Sequence, residues 1–367
     1  MNFKFSQDQE MMRDSAKRLL ADLSSYAAVH KILDSEATHD ANLWKQMAEA
    51  GWLSTAIPEE YGGAGMGYLE LAVLAEEMGK TLACTPFSSS IYMAAELIKA
   101  AGSESQKATY LAKLAAGDAI ATVAYAEKGR IDAAGVQVKA QGHKLTGVKS
   151  PVVDGLSADL AIVSARDEEG VSLYLVNLAD GKVARESVAT MDRTRKQARL
   201  RFDGVDAEPL GKAGQGGALL DAMFYKAAAL FAFEQVGGAQ AAMEMAVQYA
   251  KERYAFGRPI GSFQAIKHRI ADMFVKVETA RSSAYYAAWA LESAPEKLQQ
   301  AASGARVMGI DAYAFAAQEN VQIHGGIGFT WEANPHLHMK RAKHLESLLG
   351  GAIVWRERLM RSLEQAA

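Results

Sequence analysis

The sequence predicts an α+β chain in three parts: an all-helical N-terminal domain over residues 1–117, a middle antiparallel β domain over 118–209 and a helical bundle over 210–367. Three observations carry this. Apolar residues recur at helical spacing through the N-terminal part. At Asp118 the pattern changes to short segments rich in β-branched residues and separated by Gly, Asp and Asn, which is how a meandering antiparallel sheet reads. From about Gly216 long apolar-periodic runs return.

The helices follow in order. Ser6 with Gln9 three residues on reads as a capping box, and Met12, Ala16, Leu19, Leu20 and Leu23 then lie on one helical face. Further helical patterns run over roughly 41–50, 68–78, 87–100 and 103–116, with Gly51, Gly79, Gly102 and Gly117 as stops. The strand segments are IATVAYA, AGVQVKA, KLTGVK, LAIVSA, VSLYLVN and ARLRF, ending near Glu208-Pro209. In the last part the longest helix runs roughly over 218–251. Pro295 sits at a first-turn position, and Gly304 or Gly309 marks close helix packing.

Composition sets the remaining bounds. A chain of 367 residues is long enough for two or three domains with substantial cores. Half of it is hydrophobic and its formal net charge is −3, which calls for neither nucleic acid nor an anionic membrane as partner. The one cysteine, Cys84, leaves no intramolecular disulfide or cysteine metal cage and fits a reducing compartment. The N-terminal stretch carries acids and lacks the apolar core of a signal peptide, and no run approaches the length of a membrane span. A cytoplasmic protein is the expectation.

The chain is organised around two joints between helices. In RYAFGRPIGSFQ, Arg253 offers a planar cationic fork for a phosphate, Phe256 and Phe263 offer apolar ring faces, Gly257 and Pro259 make the turn, and Gln264 opens the next helix with an amide that donates and accepts. No strand is expected there. In QIHGGIGFTWE, Gln322, Ile323 and His324 precede Gly325 and Gly326, where two missing side chains let backbone N–H groups approach a phosphate or ribose. Together the joints read as a surface for a dinucleotide.

This pair resembles the C-terminal signatures of the acyl-CoA dehydrogenase family, RxxFGxxIxxFQ and QxxGGxGF, in the same order. PEEYGGAGMG, from Pro58 to Gly67, resembles the turn that precedes a helix bearing paired acids, here Glu76 and Glu77. The resemblance implies a C-terminal four-helix bundle, FAD as cofactor and an acyl-CoA substrate. It also implies an electron-transfer flavoprotein as acceptor. In that family the two joints hold the diphosphate and adenosine end of FAD, commonly one whose flavin lies in a neighbouring subunit. Arg253, Phe256, Phe263, Gln264, Gln322, Ile323, His324, Gly325 and Gly326 are therefore the expected cofactor contacts.

The family's chemistry needs a carboxylate beside the flavin to take the α-proton of the thioester while hydride leaves Cβ. Two usual places for it are empty of acids. One, after Arg341-Ala342-Lys343, holds Leu349; the other, on the long helix, holds Ala227. Glu234, seven residues beyond Ala227 and about 10 Å along the axis, and Glu346, one helical turn before Leu349, are the candidate replacements. The ring-binding loops differ as well. AEKGR at Ala126 to Arg130 stands where a TEPxxGSD-like loop is expected, and Pro151 and Val152 stand at the Trp and the following residue of a KxWITN-like strand, with Val153 at its Thr.

Other features have plainer readings. Gly63, Gly65 and Gly67 follow a helix, so they form a structural turn and not a dinucleotide loop. His324, His336, His338 and His344 are not spaced as a metal set. The basic run Arg193, Arg195, Lys196, Arg199 and Arg201 either steers an anionic CoA or lines an exposed strand. The sequence reading is thus an acyl-CoA dehydrogenase-like subunit that lends its adenosine-end contacts to a homologous partner in an α2β2 assembly acting on a bulky acyl-CoA. A self-sufficient homo-oligomer with a relocated base and a non-catalytic interaction subunit are the alternatives.

Overall fold

The structure, a computed structural model, describes residues 6–366. The N-terminal helices are α1 (Gln7–Leu23), α2 (Tyr26–Leu33), α3 (Ala41–Glu49), α4 (Tyr68–Thr81), α5 (Ala95–Ala101), α6 (Glu104–Gln106) and α7 (Ala112–Ala116). Ser6 caps α1 as a capping box: its hydroxyl accepts from the Gln9 N–H and the Gln9 side chain accepts from the Ser6 N–H. The stretch read as one helix over 87–100 opens with π-helical turns over Ser88–Ala94, whose residues are all buried.

The sheet comprises β1 (Ala121–Ala124), β2 (Lys139–Gln141), β3 (Lys144–Val153), β4 (Leu160–Asp167), β5 (Gly170–Asn177), β6 (Ala184–Val188), β7 (Gln197–Asp206) and β8 (Glu208–Leu210). Its strand order is β6-β7-β3-β2-β4-β5-β8, with β1 beside β4. Most pairs are antiparallel, but β1 and β2 each run parallel to β4, so the expected simple meander is corrected. Residue pattern marks a strand by its alternation but does not name its neighbour.

The C-terminal helices are α8 (Gly216–Glu252), α9 (Gln264–Ser293), α10 (Leu298–His324), α11 (Pro335–Ser347) and α12 (Ala352–Ala366). By length and composition α8 could cross a membrane, contrary to the expectation that no run approaches that length. Its most apolar window is 67 % buried within the protein, as suits a core helix. The chain packs as two compact units. One comprises the described residues up to His30, Tyr68–Ala83 and the described residues from Ala228 on; the other comprises Lys31–Gly67 and Cys84–Ala227.

Two glycines position α4 against α8. A Cβ on Gly79 would sit 2.1 Å from the Glu234 carbonyl oxygen, and one on Gly237 would sit 1.9 Å from that of Glu76. Gly79 therefore lies inside α4 and does not end it: the missing Cβ is required by the helix opposite. Gly309 has the same use, 2.8 Å from the Gln235 amide oxygen, whereas a Cβ on Gly304 would meet nothing. Beside this contact Glu76, buried, takes Arg281 as ion-pair partner, and Glu77 takes Lys80 at 2.7 Å.

His338 is held in the same unit between two tyrosines, its Nε2 2.7 Å from the Tyr26 hydroxyl and its Nδ1 3.0 Å from that of Tyr313. One ring nitrogen donates and the other accepts, so the neutral imidazole satisfies both contacts. Burial, and then the nearby Arg341 charge, push its pKa down from 6.5 to about 3. A group depressed in this way contributes stability that is present above about pH 6.5 and is lost as the pH falls toward 3. Unfolding free energy should therefore drop between pH 6.5 and 5 with a slope of up to about 1.4 kcal/mol per pH unit from this residue. Urea titrations of His338→Gln should lose that slope; an unchanged slope would remove His338 as its source.

Candidate functional site

The first joint begins where α8 ends. The Arg253 N–H donates to the Tyr249 carbonyl and the Ile260 N–H donates to the Arg253 carbonyl, both at 2.8 Å, so the arginine forms the neck of the loop. Between them the chain forms a small hairpin, β9 (Tyr254–Ala255) with β10 (Arg258–Pro259), which corrects the expectation of a joint without strand. Its turn is made by Phe256 and Gly257, at φ 54° and 76°, and not by Pro259. Two successive positive φ values match the right-handed twist of a hairpin, which explains why two residues per strand suffice. The price is a phenylalanine in the left-handed region, its ring 95 % exposed.

Phe263 meets Phe256 edge-on at 6.2 Å, and the Arg258 guanidinium lies 4.1 Å from the Phe263 ring centre. Gln264 opens α9 and is exposed. No side chain caps the first N–H groups of this helix, so its start presents a positive, hydrogen-bonding end just past the loop closed between Arg253 and Ile260.

The second joint follows α10. His324 is its last residue, and Gly325 turns the chain with φ 65° and ψ −144° into a 3-10 segment over Gly325–Phe329. Gln322, Gly325 and Gly326 are exposed, His324 is half-buried, and Ile323 is buried in the bundle. The two joints share one end of the bundle, because the His324 ring stacks on Tyr249 at 4.0 Å with 24° between planes. Tyr249, Asn320 and Arg258 escaped the sequence reading. Tyr249 stands one helical turn before Arg253, and that spacing was the available signal.

The carboxylates are placed otherwise. Glu234 is buried and pairs with Arg341 at 3.4 Å, while Arg341 also donates to the carbonyls of Leu82 and Ala83 at 3.2 and 3.4 Å. Glu346 is half-buried and takes Lys343 at 2.9 Å. It is not one helical turn from Leu349, since α11 stops at Ser347. Arg306 accounts for the stop: it donates to the carbonyls of Leu345 and Leu348, the latter at 2.7 Å, and to Gln235 at 2.8 Å. Leu349 itself is fully buried at φ 56°, and its carbonyl accepts from the Trp355 indole at 3.0 Å. That segment is rigidly held, but it offers an apolar side chain.

In the sheet, Glu127 is buried against Lys149 at 2.5 Å and accepts from the Gln137 and Val138 N–H groups; Lys149 also donates to Ser164 at 2.8 Å. Burial lowers the Lys149 pKa to about 8 against the opposing pull of Glu127. Pro151 is exposed, while Val152 and Val153 are buried. The basic run is not a uniform exposed face. Arg195 is buried and bonded to Asp154 at 2.5 Å and Ser88 at 2.8 Å, and Arg193 and Lys196 donate to the carbonyls of Leu33, the last residue of α2, and Ser35 just beyond it.

The helical N-terminal region, the sheet and the C-terminal bundle are those of an acyl-CoA dehydrogenase fold. Residues 6–118 match the acyl-CoA dehydrogenase N-terminal domain and residues 214–364 the C-terminal domain. The chain is 34 % identical over 349 residues to the acyl-CoA dehydrogenase IpdE2 of Mycolicibacterium smegmatis, covering 94 % of this chain and 95 % of that one. It is similar to a chain of a variant of the Tcur3481-Tcur3483 steroid ACAD, with 30 % identity, 98 % of both chains covered and a TM-score of 0.89. A chain of the ChsE4-ChsE5 complex from Mycobacterium tuberculosis matches at 28 % identity and TM-score 0.89, covering 100 % of this chain and 99 % of that one. The chain belongs to the acyl-CoA dehydrogenase family.

Proposed function

We propose that this chain is a flavoprotein subunit of an assembly that dehydrogenates a bulky acyl-CoA, and that it holds the adenosine and diphosphate end of an FAD, while a homologous partner supplies the flavin pocket and the catalytic base. The observation that carries the reading is the contrast between the chain's two halves of the chemistry. Arg253, Gln264, Gly325 and Gly326 are exposed at one end of the bundle, while Leu349 is apolar and Glu234 is committed to Arg341. When bound, the flavin accepts the hydride that leaves Cβ.

The residues at the joints fit such a group. Arg253 supplies a charged fork for the diphosphate, the uncapped start of α9 adds N–H donors, and Gln264 reads donors and acceptors alike. A Cβ on Gly325 or Gly326 would meet nothing, so the backbone there is bare toward open space. A second subunit is supported by the exposed aromatic side chains near the joints, Tyr254, Phe256, Phe329 and Trp331. Similarity to chains described in terms of two components, Tcur3481-Tcur3483 and ChsE4-ChsE5, favours a homologous partner over a second copy.

Arg253→Ala should weaken FAD retention in the intact assembly by the loss of a charge-assisted pair, about 1.5–3 kcal/mol, and Arg253→Lys should restore only part. Flavin absorbance per chain after gel filtration reads this directly. Equal flavin content in wild type and Arg253→Ala would take Arg253 out of the site. Sedimentation at micromolar concentration should show an oligomer, and a lone monomer in the presence of its partner would count against the whole reading.

A further inference from the structure

At the second joint one polar atom and one glycine are left without a use inside the chain. The His324 Nδ1 lies 2.8 Å from the Asn320 carbonyl, which can only accept, so Nδ1 carries the proton. The neutral ring then bears a lone pair on Nε2. Among the described residues Nε2 has no hydrogen-bond partner, and it is not among the buried unsatisfied atoms, so it is open to solvent. Tyr249 stacked on the ring fixes its plane, so the acceptor is held in place before any ligand arrives.

The glycine is Gly326. Gly325 needs its positive φ, and a Cβ on Gly328 would lie 2.8 Å from the Val321 carbonyl oxygen, so both are explained by the chain itself. Gly326 has no left-handed φ and no neighbour within 4 Å of a Cβ. Neither backbone nor packing requires it to be glycine. A bare, exposed peptide two residues after a preset acceptor leaves space for a ligand that itself carries a hydrogen-bond donor.

We propose that His324 is a specificity-determining residue of the nucleotide site: its Nε2 accepts a hydrogen bond from a donor of the adenosine end, either the adenine exocyclic amine or a ribose hydroxyl. This rests on the FAD reading above. Tyr249 and Asn320 act through His324, the first by holding the ring plane and the second by fixing the tautomer, and are positioning residues.

The pH dependence follows. Burial lowers the His324 pKa below 6.5, against the Asn320 carbonyl that raises it. The titratable group packed on the ring is the Tyr249 phenol, and no charged side chain of the described residues adds to the shift. The acceptor is therefore present at neutral pH and is lost as the pH falls through the depressed pKa. The FAD diphosphate keeps its charge over this range, so a fall in affinity there belongs to the protein.

The test is calorimetric titration of the apo-assembly with FAD, with the dinucleotide bearing hypoxanthine in place of adenine, and with the 2′-deoxyadenosine dinucleotide. His324→Phe keeps a ring on Tyr249 and removes the acceptor; it should weaken FAD binding about tenfold, as for one lost hydrogen bond. His324→Gln, which offers a non-titrating acceptor, should recover part of the loss and abolish the fall in affinity at acid pH. Loss of discrimination against the hypoxanthine analogue in His324→Phe identifies the amine as donor, and loss against the deoxy analogue identifies the ribose. Wild-type affinity in His324→Phe while Arg253→Ala is impaired would overturn this proposal alone. No FAD binding by any assembly containing this chain would overturn both.

Discussion

Supplied with excess FAD and a panel of acyl-CoA esters, the chain alone is expected to give no dehydrogenation and no exchange of the substrate α-hydrogen with deuterated water. Loss of a positioned base typically costs about 10²–10⁴-fold, and hydride transfer has no path without a bound ring. Leu349 is buried and apolar, Ala227 has no function to offer, and Glu234 is tied to Arg341. Glu234→Gln should therefore act on stability and not on turnover. It removes the negative charge that Glu234 places 3.4 Å from the buried Arg341 guanidinium, and breaking a buried pair costs about 3–5 kcal/mol. Glu346→Gln should do little to either, since its pair with Lys343 is solvent-facing. Wild-type turnover that vanishes in a folded Glu234→Gln or Glu346→Gln would place the base on that residue and sink the two-subunit reading.

Gly237→Ala is expected to be the most damaging conservative change in the bundle. The added methyl would lie 1.9 Å from the Glu76 carbonyl oxygen, a backbone atom that cannot swing aside, so α4 and α8 must separate. Overpacking of this kind costs about 3 kcal/mol or more, and Gly79→Ala, 2.1 Å from the Glu234 carbonyl, should cost a similar amount. Separation also disturbs the buried acids on both helices, so the two variants should not be additive. Gly304→Ala serves as control. A methyl there meets nothing, and alanine favours the helix by about 0.5–1 kcal/mol. Urea midpoints that fall in the first two variants and hold or rise in the third would agree with the close glycine contact between α4 and α8; equal midpoints for Gly237→Ala and Gly304→Ala would refute it.

Much of the fold was legible because its signals are local. The Ser6–Gln9 capping box, the long helix within Gly216–Glu252, the Pro295 start and most strands answer to spacing, capping and β-branching within a few residues. The hairpin at Tyr254–Pro259 was missed because phenylalanine rarely takes positive φ, so Phe256-Gly257 does not read as a hairpin turn. The parallel pairings of β1 and β2 with β4 were missed because alternation is blind to partners.

The candidate site divides in the same way. Sequence by itself determined the family, the two joints and the absence of acids at Leu349 and Ala227, since these depend only on which residues stand in which order. Tertiary structure decided the rest. It made Gly79 a contact and not a stop, consumed Glu234 in an ion pair, split the basic run between core and helix end, and fixed the His324 proton on Nδ1. Each of these is set by an atom distant in sequence, or by a backbone carbonyl whose direction exists only once the helix has formed. Residue identity lists the groups available for such contacts, and the fold alone determines which of them remain free for a ligand.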